Sequence, residues 1–167
     1  MTTVKVLQKG FPGKTTIALL YLSSITYIEH DGLKIICDVG PISIRKNLIK
    51  TMAEQNIDPG EIDYVFISHL HHDHAANIDL FKNATVVLSK TEWEYAHKGS
   101  DQAIQMAYLP LYEKAKKLFV TENGQTIVPG IKAWLVPGHT PGSICFSLNV
   151  NGECWVIAGD AVKNRVE

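Results

Sequence analysis

The chain has 167 residues, enough for one domain with a real hydrophobic core. Apolar residues make up 46% and charged residues 20%, and the formal net charge is −1, so there is no basic excess to track a phosphate backbone and nucleic acid is not favoured as a partner. The cysteines, Cys37, Cys145 and Cys154, form no CxxC pair, which excludes a disulfide scaffold and reads as reduced thiols of a cytoplasmic protein without a membrane span.

Val4 to Gln8 reads as a strand ended by Gly10-Phe-Pro-Gly13. Gly13-Lys14-Thr15 imitates the end of a phosphate loop, but the first glycine such a loop needs falls on Gln8. The run Ile17 to Leu22 is too short to cross a bilayer, and no clear signal-peptide cleavage pattern follows it. Ser24 to Glu29 and Leu33 to Cys37 are strands whose Asp31-Gly32 connection is a hairpin signal. Ile44, Leu48, Ile49 and Met52 recur at helical spacing and predict an amphipathic helix over 44–55. Asp58-Pro59-Gly60 is a turn, Ile62 to Ser68 a strand and Ala84 to Leu88 another. Ser89-Lys-Thr-Glu92 matches a capping box and predicts a helix ending at Gly99. Ala103 to Lys117 is expected to be helical and kinked at Pro110. Strands follow over 118–121, 130–136, 144–150 and 153–158, the last two joined by Asn151-Gly152 as a type I′ hairpin. That register puts Cys154 opposite Asn149, roughly 13 Å along the ladder from Cys145, too far for a disulfide.

The chemistry concentrates in His69-Leu-His71-His72-Asp73-His74, directly after an apolar strand. Imidazole nitrogen and carboxylate oxygen are the ligands that zinc and similar divalent metals take. His69 and His71, two apart in extended chain, can point to one side, and Asp73 and His74 follow one turn later. A solvated polar loop explains a lone histidine but not this density of ligands. Two further strand ends carry ligand types: His139 in Val-Pro-Gly-His-Thr-Pro-Gly-Ser, and Asp160 in Ile-Ala-Gly-Asp. Alone, each reads equally as a turn residue.

Taken in order, H-x-H-x-D-H, then Gly-His-Thr-Pro-Gly-Ser, then Ala-Gly-Asp resemble the metallo-β-lactamase superfamily from about Asp38 to Asp160. The resemblance implies an α/β fold, a four-layer αββα sandwich of two sheets with helices outside, as a single domain over residues 1–167. It implies that His69, His71 and His139 bind a first metal, and that Asp73 and His74 bind a second, with Asp160 bridging. Zinc is the metal expected, one or two ions, with iron or manganese as alternatives. A hydroxide between the metals would attack the substrate, and Asp73 would orient it and shuttle a proton. Asp38 matches the family's early aspartate and is assigned hydrogen-bonded support of the histidine loop, as is Thr140 beside His139; the plain alternative for Asp38 is a turn before Gly40. His72 fills a variable slot.

Well after the bridging aspartate the family pattern adds a last histidine, a further strand and a final helix, none of which this sequence supplies. A fragment, a compact variant or a ligand from a neighbouring subunit each accounts for that, and a shortened sheet edge would favour a homo-oligomer. Asp160 argues against β-lactam hydrolysis, and His71 against the diiron oxidoreductase branch. Lys163 stands where lactonases carry a tyrosine. The likeness is to small stand-alone members and, in motif, to lactonase or glyoxalase II-type enzymes, although the helical domain that glyoxalase II-type enzymes add for a glutathione thioester has no room here. The expected function is hydrolysis of a small ester, thioester or lactone by a metal-held hydroxide. An iron-dependent persulfide dioxygenase-like enzyme and an inactive metal-binding member are the alternatives. Phe11, Trp93, Tyr95 and Tyr108 are candidates for an apolar pocket wall, with core packing the plainer expectation for each.

Overall fold

The computed structural model describes residues 1–14, 19–104 and 106–162. In chain order these form β1 (Thr2–Gln8), β2 (Phe11–Lys14), β3 (Leu19–Leu22), β4 (Ile25–His30), β5 (Leu33–Cys37), α1 (Arg45–Glu54), β6 (Tyr64–Phe66), the one-turn α2 (His72–Ala75), β7 (Thr85–Ser89), α3 (Lys90–His97) and α4 (Leu109–Lys114). Then come β8 (Lys117–Val120), β9 (Gln125–Val128), β10 (Ile131–Leu135), β11 (Ile144–Val150) and β12 (Glu153–Ile157).

Two sheets stack face to face, a six-stranded one in the order β1-β4-β5-β6-β7-β8 and a four-stranded one in the order β12-β11-β10-β9. Strands β5, β6, β7 and β8 are mutually parallel. Parallel neighbours need crossovers, and α1, then α2, then α3 with α4 lie in those connections. Direction matters here. Because β5, β6 and β7 run the same way, the residues just after each emerge along one edge of the sheet. In the smaller sheet β10 and β12 both pair antiparallel with β11, so their C-terminal ends also share an edge. The chain therefore delivers Asp38, His69, His139 and Asp160 from four strand ends to one rim.

The sheets are glued by an apolar layer that includes Ile28, Ile35, Phe66, Val87, Ile131, Ala133, Ile144, Phe146 and Leu148. Phe66 stacks on Phe146 across the interface with ring centroids 4.6 Å apart. Each such side chain, taken fully out of water, contributes roughly 1.5–3 kcal/mol. In β11 the buried residues Ile144, Phe146, Leu148 and Val150 alternate with half-buried Ser147 and exposed Asn149, the period of a strand with one buried face. A second layer packs Leu48 and Met52 of α1, Ala96 of α3, and Leu109 and Tyr112 of α4 on the other face of the larger sheet. Ile49, counted in the apolar stripe of α1, is on its exposed side.

The sandwich of sheets and helices agrees with the fold class expected from sequence. Among the described residues the helices cover the larger sheet, and the smaller sheet turns Lys132 and Trp134 outward. Most elements fall within two residues of expectation. Asn151 at φ 55° and Gly152 at φ 90° form the expected type I′ hairpin, and Asn149 pairs with Cys154 as the register required.

The expected helix over 103–117 is not formed as one element. Its first part is turns, and α4 begins at Leu109 with Pro110 in its first turn. Proline there loses no hydrogen bond and carries the φ a helix start needs, so it opens the helix instead of kinking one. The hairpin of β2 and β3 was not expected. Gly13 and Lys14 belong to β2; Thr15, Ile17 and Lys163 lie outside the described residues. Among the described residues no helix is long and apolar enough to cross a membrane.

All three thiols are free, Cys145 and Cys154 as the hairpin register required. Burial pushes the Cys37 thiol well above its ordinary pKa and raises that of the mostly buried Cys145, whereas Cys154 is exposed. A thiol-alkylating reagent should therefore label about one cysteine per native chain, Cys154, and all three after unfolding. Peptide mapping of the labelled protein checks this; early labelling of Cys37 would contradict the packing described.

Candidate metal centre

His69 and His71 follow β6, and extended backbone keeps their side chains on one side until α2 turns His74 back toward them. The loop is fixed from both sides. Ile67 N–H donates to Val87 O, and Ile144 N–H donates to Ser68 O, which ties β11 to the end of β6. Asp38 N–H donates to Phe66 O and Val39 N–H to His74 O. Asn77, fully buried, donates its amide to the carbonyls of Val39, Gly40 and Pro41 and holds the turn after β5.

Two groups of ligand atoms result. One atom each from His69, His71 and His139 lie within 4.8 Å of one another, as do one atom each from His69, His74 and Asp160. His71 Nδ1 stands 2.9 Å from His139 Nε2. Two nitrogens sharing a tetrahedral zinc would stand about 3.3 Å apart, close to that 2.9 Å and inside the 4.8 Å limit of the group. Asp160 lies between the groups, with Oδ1 3.1 Å from His74 Nε2 and Oδ2 3.3 Å from His139 Nε2. Asp73 is buried, and its Oδ2 stands 3.6 Å from His74 Nε2. Sequence reading grouped Asp73 with His74; the tighter partner set of His74 is His69 and Asp160.

Asp38 is where support of the loop was expected. Its Oδ1 accepts the Ser68 N–H at 2.8 Å, and its Oδ2 accepts the Ser68 hydroxyl at 2.8 Å and His74 Nδ1–H at 2.7 Å. Burial alone would favour the neutral His74 imidazole. The charge of Asp38, hydrogen bonds to Asp160 and Asp38, and the charge of Asp73 outweigh it and push the His74 pKa up to about 10. That concentration of carboxylates on a nearly water-free imidazole is a pocket built for positive charge, and the nitrogen-and-oxygen donor set suits a borderline divalent ion.

Several partners were missed. Ser68 sits between Asp38 and both His69 and His74, with its hydroxyl 3.1 Å from His69 Nδ1 and 3.3 Å from His74 Nδ1. Asp101 faces His71 Nε2 at 3.1 Å and also accepts from the Tyr95 hydroxyl and the Ala103 N–H. A carboxylate on one ring nitrogen keeps a proton there and leaves the other nitrogen's lone pair for a ligand, the usual outer partner of a metal-binding histidine. Ser89 caps α3 through the Glu92 N–H as expected, but the Glu92 carboxylate is committed to Leu70, Thr140 and Gly142. Thr140, next to His139 in the chain, turns its hydroxyl to Glu92 and Ser143. His72 turns its ring toward the Ala103 carbonyl.

A cavity of about 410 Å³ opens on this rim. Asp38, Asp73, His74 and Asp160 line one side, and Val4, Val6, Phe11, Tyr21, Trp155 and Val162 are among the residues lining the rest. Of the four aromatic candidates for a pocket wall, Phe11 lines it. Tyr108 is buried with its hydroxyl on Leu70 O, Trp93 packs on the helical core layer, and Tyr95 binds Asp101.

Fold and site together define a two-sheet sandwich that presents histidines and carboxylates, as a cation-binding cluster, at the strand ends of one rim. A model of the metallo-β-lactamase superfamily matches residues 19–167, and the chain belongs to that superfamily. A probable metallo-hydrolase of Methanocaldococcus jannaschii is 33% identical over 134 residues, 79% of this chain and 54% of that protein. An N-acyl homoserine lactonase of Bacillus thuringiensis is 28% identical over 96 residues, 57% of this chain and 36% of that one. A Thermotoga maritima crystal structure of metallo-β-lactamase type superposes with a TM-score of 0.80 at 22% identity, covering 93% of this chain and 77% of the other, and shows the shared fold. The chain thus spans about half or less of the length of these two curated relatives.

Proposed function

We propose that the chain acts as a zinc-dependent hydrolase on a neutral substrate whose ester, thioester or lactone carbonyl meets the rim while an apolar part occupies the cavity. The observation that carries this reading is the convergence of His69, His71 and His139, and of His69, His74 and Asp160, each within 4.8 Å. The names metallo-hydrolase and N-acyl homoserine lactonase, borne by relatives, point the same way. His69, His71 and His139 would hold one ion, and His74 and Asp160 a second, with Asp160 shared. When bound, a divalent metal lowers the pKa of its water from about 15.7 to about 7 and polarises a carbonyl.

The protein's own part is positional. Asp73, at the junction of cavity and ligands, would accept the attacking water's proton and return it to the leaving group. The apolar walls, Phe11, Tyr21 and Trp155 among them, would seat the acyl portion and thin the water around the reacting carbonyl.

Purified without added metal, the protein should carry about one to two zinc ions per chain. It should hydrolyse members of a panel of aryl esters, thioesters and lactones, losing turnover on chelation and regaining it with zinc. Turnover unchanged after complete metal removal would sink the proposal. Iron in place of zinc would move the assignment to oxygen chemistry.

A further inference from the structure

We propose that Glu92 is a positioning residue whose carboxylate braces the two histidine-bearing loops against each other, so that His69, His71 and His139 are already convergent when a cation arrives. The inference rests on the metal-centre reading above and adds to it a residue bonded to the chain neighbours of those histidines.

Glu92 is 1% exposed. Its Oε1 accepts the N–H of Leu70, at 2.8 Å, and Leu70 is the residue between His69 and His71. Its Oε2 accepts the hydroxyl of Thr140, the residue after His139, at 2.6 Å, and the N–H of Gly142 at 3.2 Å. One carboxylate group therefore joins segments that lie 22 residues before it and 48 to 50 residues after it.

The surrounding packing is built to bring them that close. A Cβ on Gly142 would sit 2.1 Å from the Glu92 nitrogen and 2.4 Å from its Cα, so only glycine admits the loop against the start of α3. Ser89 closes the other side, accepting the Glu92 N–H at 2.9 Å and donating to Gly142 O at 2.6 Å. Seating a helix on a sheet does not require a buried carboxylate, whose desolvation is costly and which an apolar side chain of similar volume would avoid. What a carboxylate offers here is two oxygens on a rigid plane, one for each loop. The first turn of α3, where backbone N–H groups point outward, favours negative charge at that place.

Glutamine keeps the shape and the capping position but has one acceptor oxygen, so it can hold one loop's N–H group and must present an amide N–H to the other. The test uses the whole chain, with zinc ion alone as the probe, titrated against a chromogenic chelator. Thermal melting and circular dichroism of the metal-free forms run beside it. Glu92→Gln is expected to fold and to raise the zinc dissociation constant about 10–100-fold. Thr140→Val, which cuts one strut, should raise it less. The double variant should bind no worse than Glu92→Gln, because both changes break the same link. Leu109→Ala, which hollows the core under α4, should lower the melting temperature without changing zinc affinity while folded; this separates positioning from general stability.

A folded Glu92→Gln protein within about twofold of wild-type zinc affinity would overturn the role of Glu92 and leave the metal centre standing. So would losses that sum in the double variant. Should Glu92→Gln fail to fold, Thr140→Val decides: a several-fold loss supports the brace, and unchanged affinity overturns it. Wild-type protein that takes up no zinc removes the metal-centre reading itself, and the brace with it.

Discussion

Replacing His71 by alanine is expected to strip most of the bound metal from the protein and to lower turnover at least ~100-fold, with the fold retained. His71 is one of three imidazoles in the first group, and its Nδ1 is the atom 2.9 Å from His139 Nε2. Losing it leaves two nitrogens and the shared carboxylate of Asp160, a site short of one of its three imidazoles and correspondingly weak. The loss should exceed the ~10–100-fold that deleting a ligand's hydrogen-bond partner costs. It should also exceed the effect of removing Asp101, which acts on the far ring nitrogen. The side chain is mostly buried but lies at the rim, away from the layer between the sheets, so circular dichroism should change little. His72→Ala is the matched control. It is the next residue in the same run, its ring turns to the Ala103 carbonyl, and its removal should leave metal content unchanged. Elemental analysis of both variants decides. Wild-type zinc content in His71→Ala would refute the first site.

What the sequence disclosed and what it withheld follow from the range of the interactions. The hairpins at Asp31-Gly32 and Asn151-Gly152 were legible because the turn residues themselves adopt positive φ, a local property. The histidine run was legible because its ligands lie within six residues of one another, where spacing alone suggests a shared target. His139 and Asp160 were found through the order of three motifs, since nothing near either residue says that it will meet position 69 in space. The parallel strands β5, β6 and β7 and the parallel pair β10 and β12 are what bring them together.

Glu92 was visible only as the fourth residue of a capping box. That pattern explains the Ser89 cap and says nothing of a carboxylate committed to residues 70, 140 and 142. Asp101, 30 residues from His71, carries no local signal at all. Ser68 is a small polar residue at a strand end until the fold sets Asp38 against it. The candidate ligands were readable because metal chemistry restricts residue type; their hydrogen-bond partners were not, because many residue types make hydrogen bonds.

Asp38 gives the second test, since its two replacements should separate stability from metal binding. Asp38 is 3% exposed, sits at φ 55°, and accepts from Ser68 N–H, Ser68 hydroxyl and His74 Nδ1–H. Alanine there leaves those buried donors without an acceptor, breaks a buried charge pair and must adopt a left-handed backbone that Asp and Asn tolerate better. The expected cost is about 3–5 kcal/mol, a large share of the 5–15 kcal/mol typical of a domain. At roughly 2–4 °C per kcal/mol for a domain of this size, the melting temperature should fall by about 6–20 °C. Asparagine keeps the backbone preference and one acceptor oxygen for Ser68 N–H, so the fold should survive with a drop of a few degrees. Its amide nitrogen, however, faces His74 Nδ1, which must then present a lone pair and carry its proton on Nε2. Nε2 is the nitrogen 3.1 Å from Asp160, the atom a metal would need bare. The wrong tautomer blocks the ligand while the geometry stays intact. Asp38→Asn should therefore melt near wild type yet lose the weaker of two zinc equivalents in a titration, and Asp38→Ala should fail in both measurements. An alanine variant melting within about 2 °C of wild type, or an asparagine variant filling both sites normally, would show that Asp38 neither fastens the loop nor sets the His74 proton.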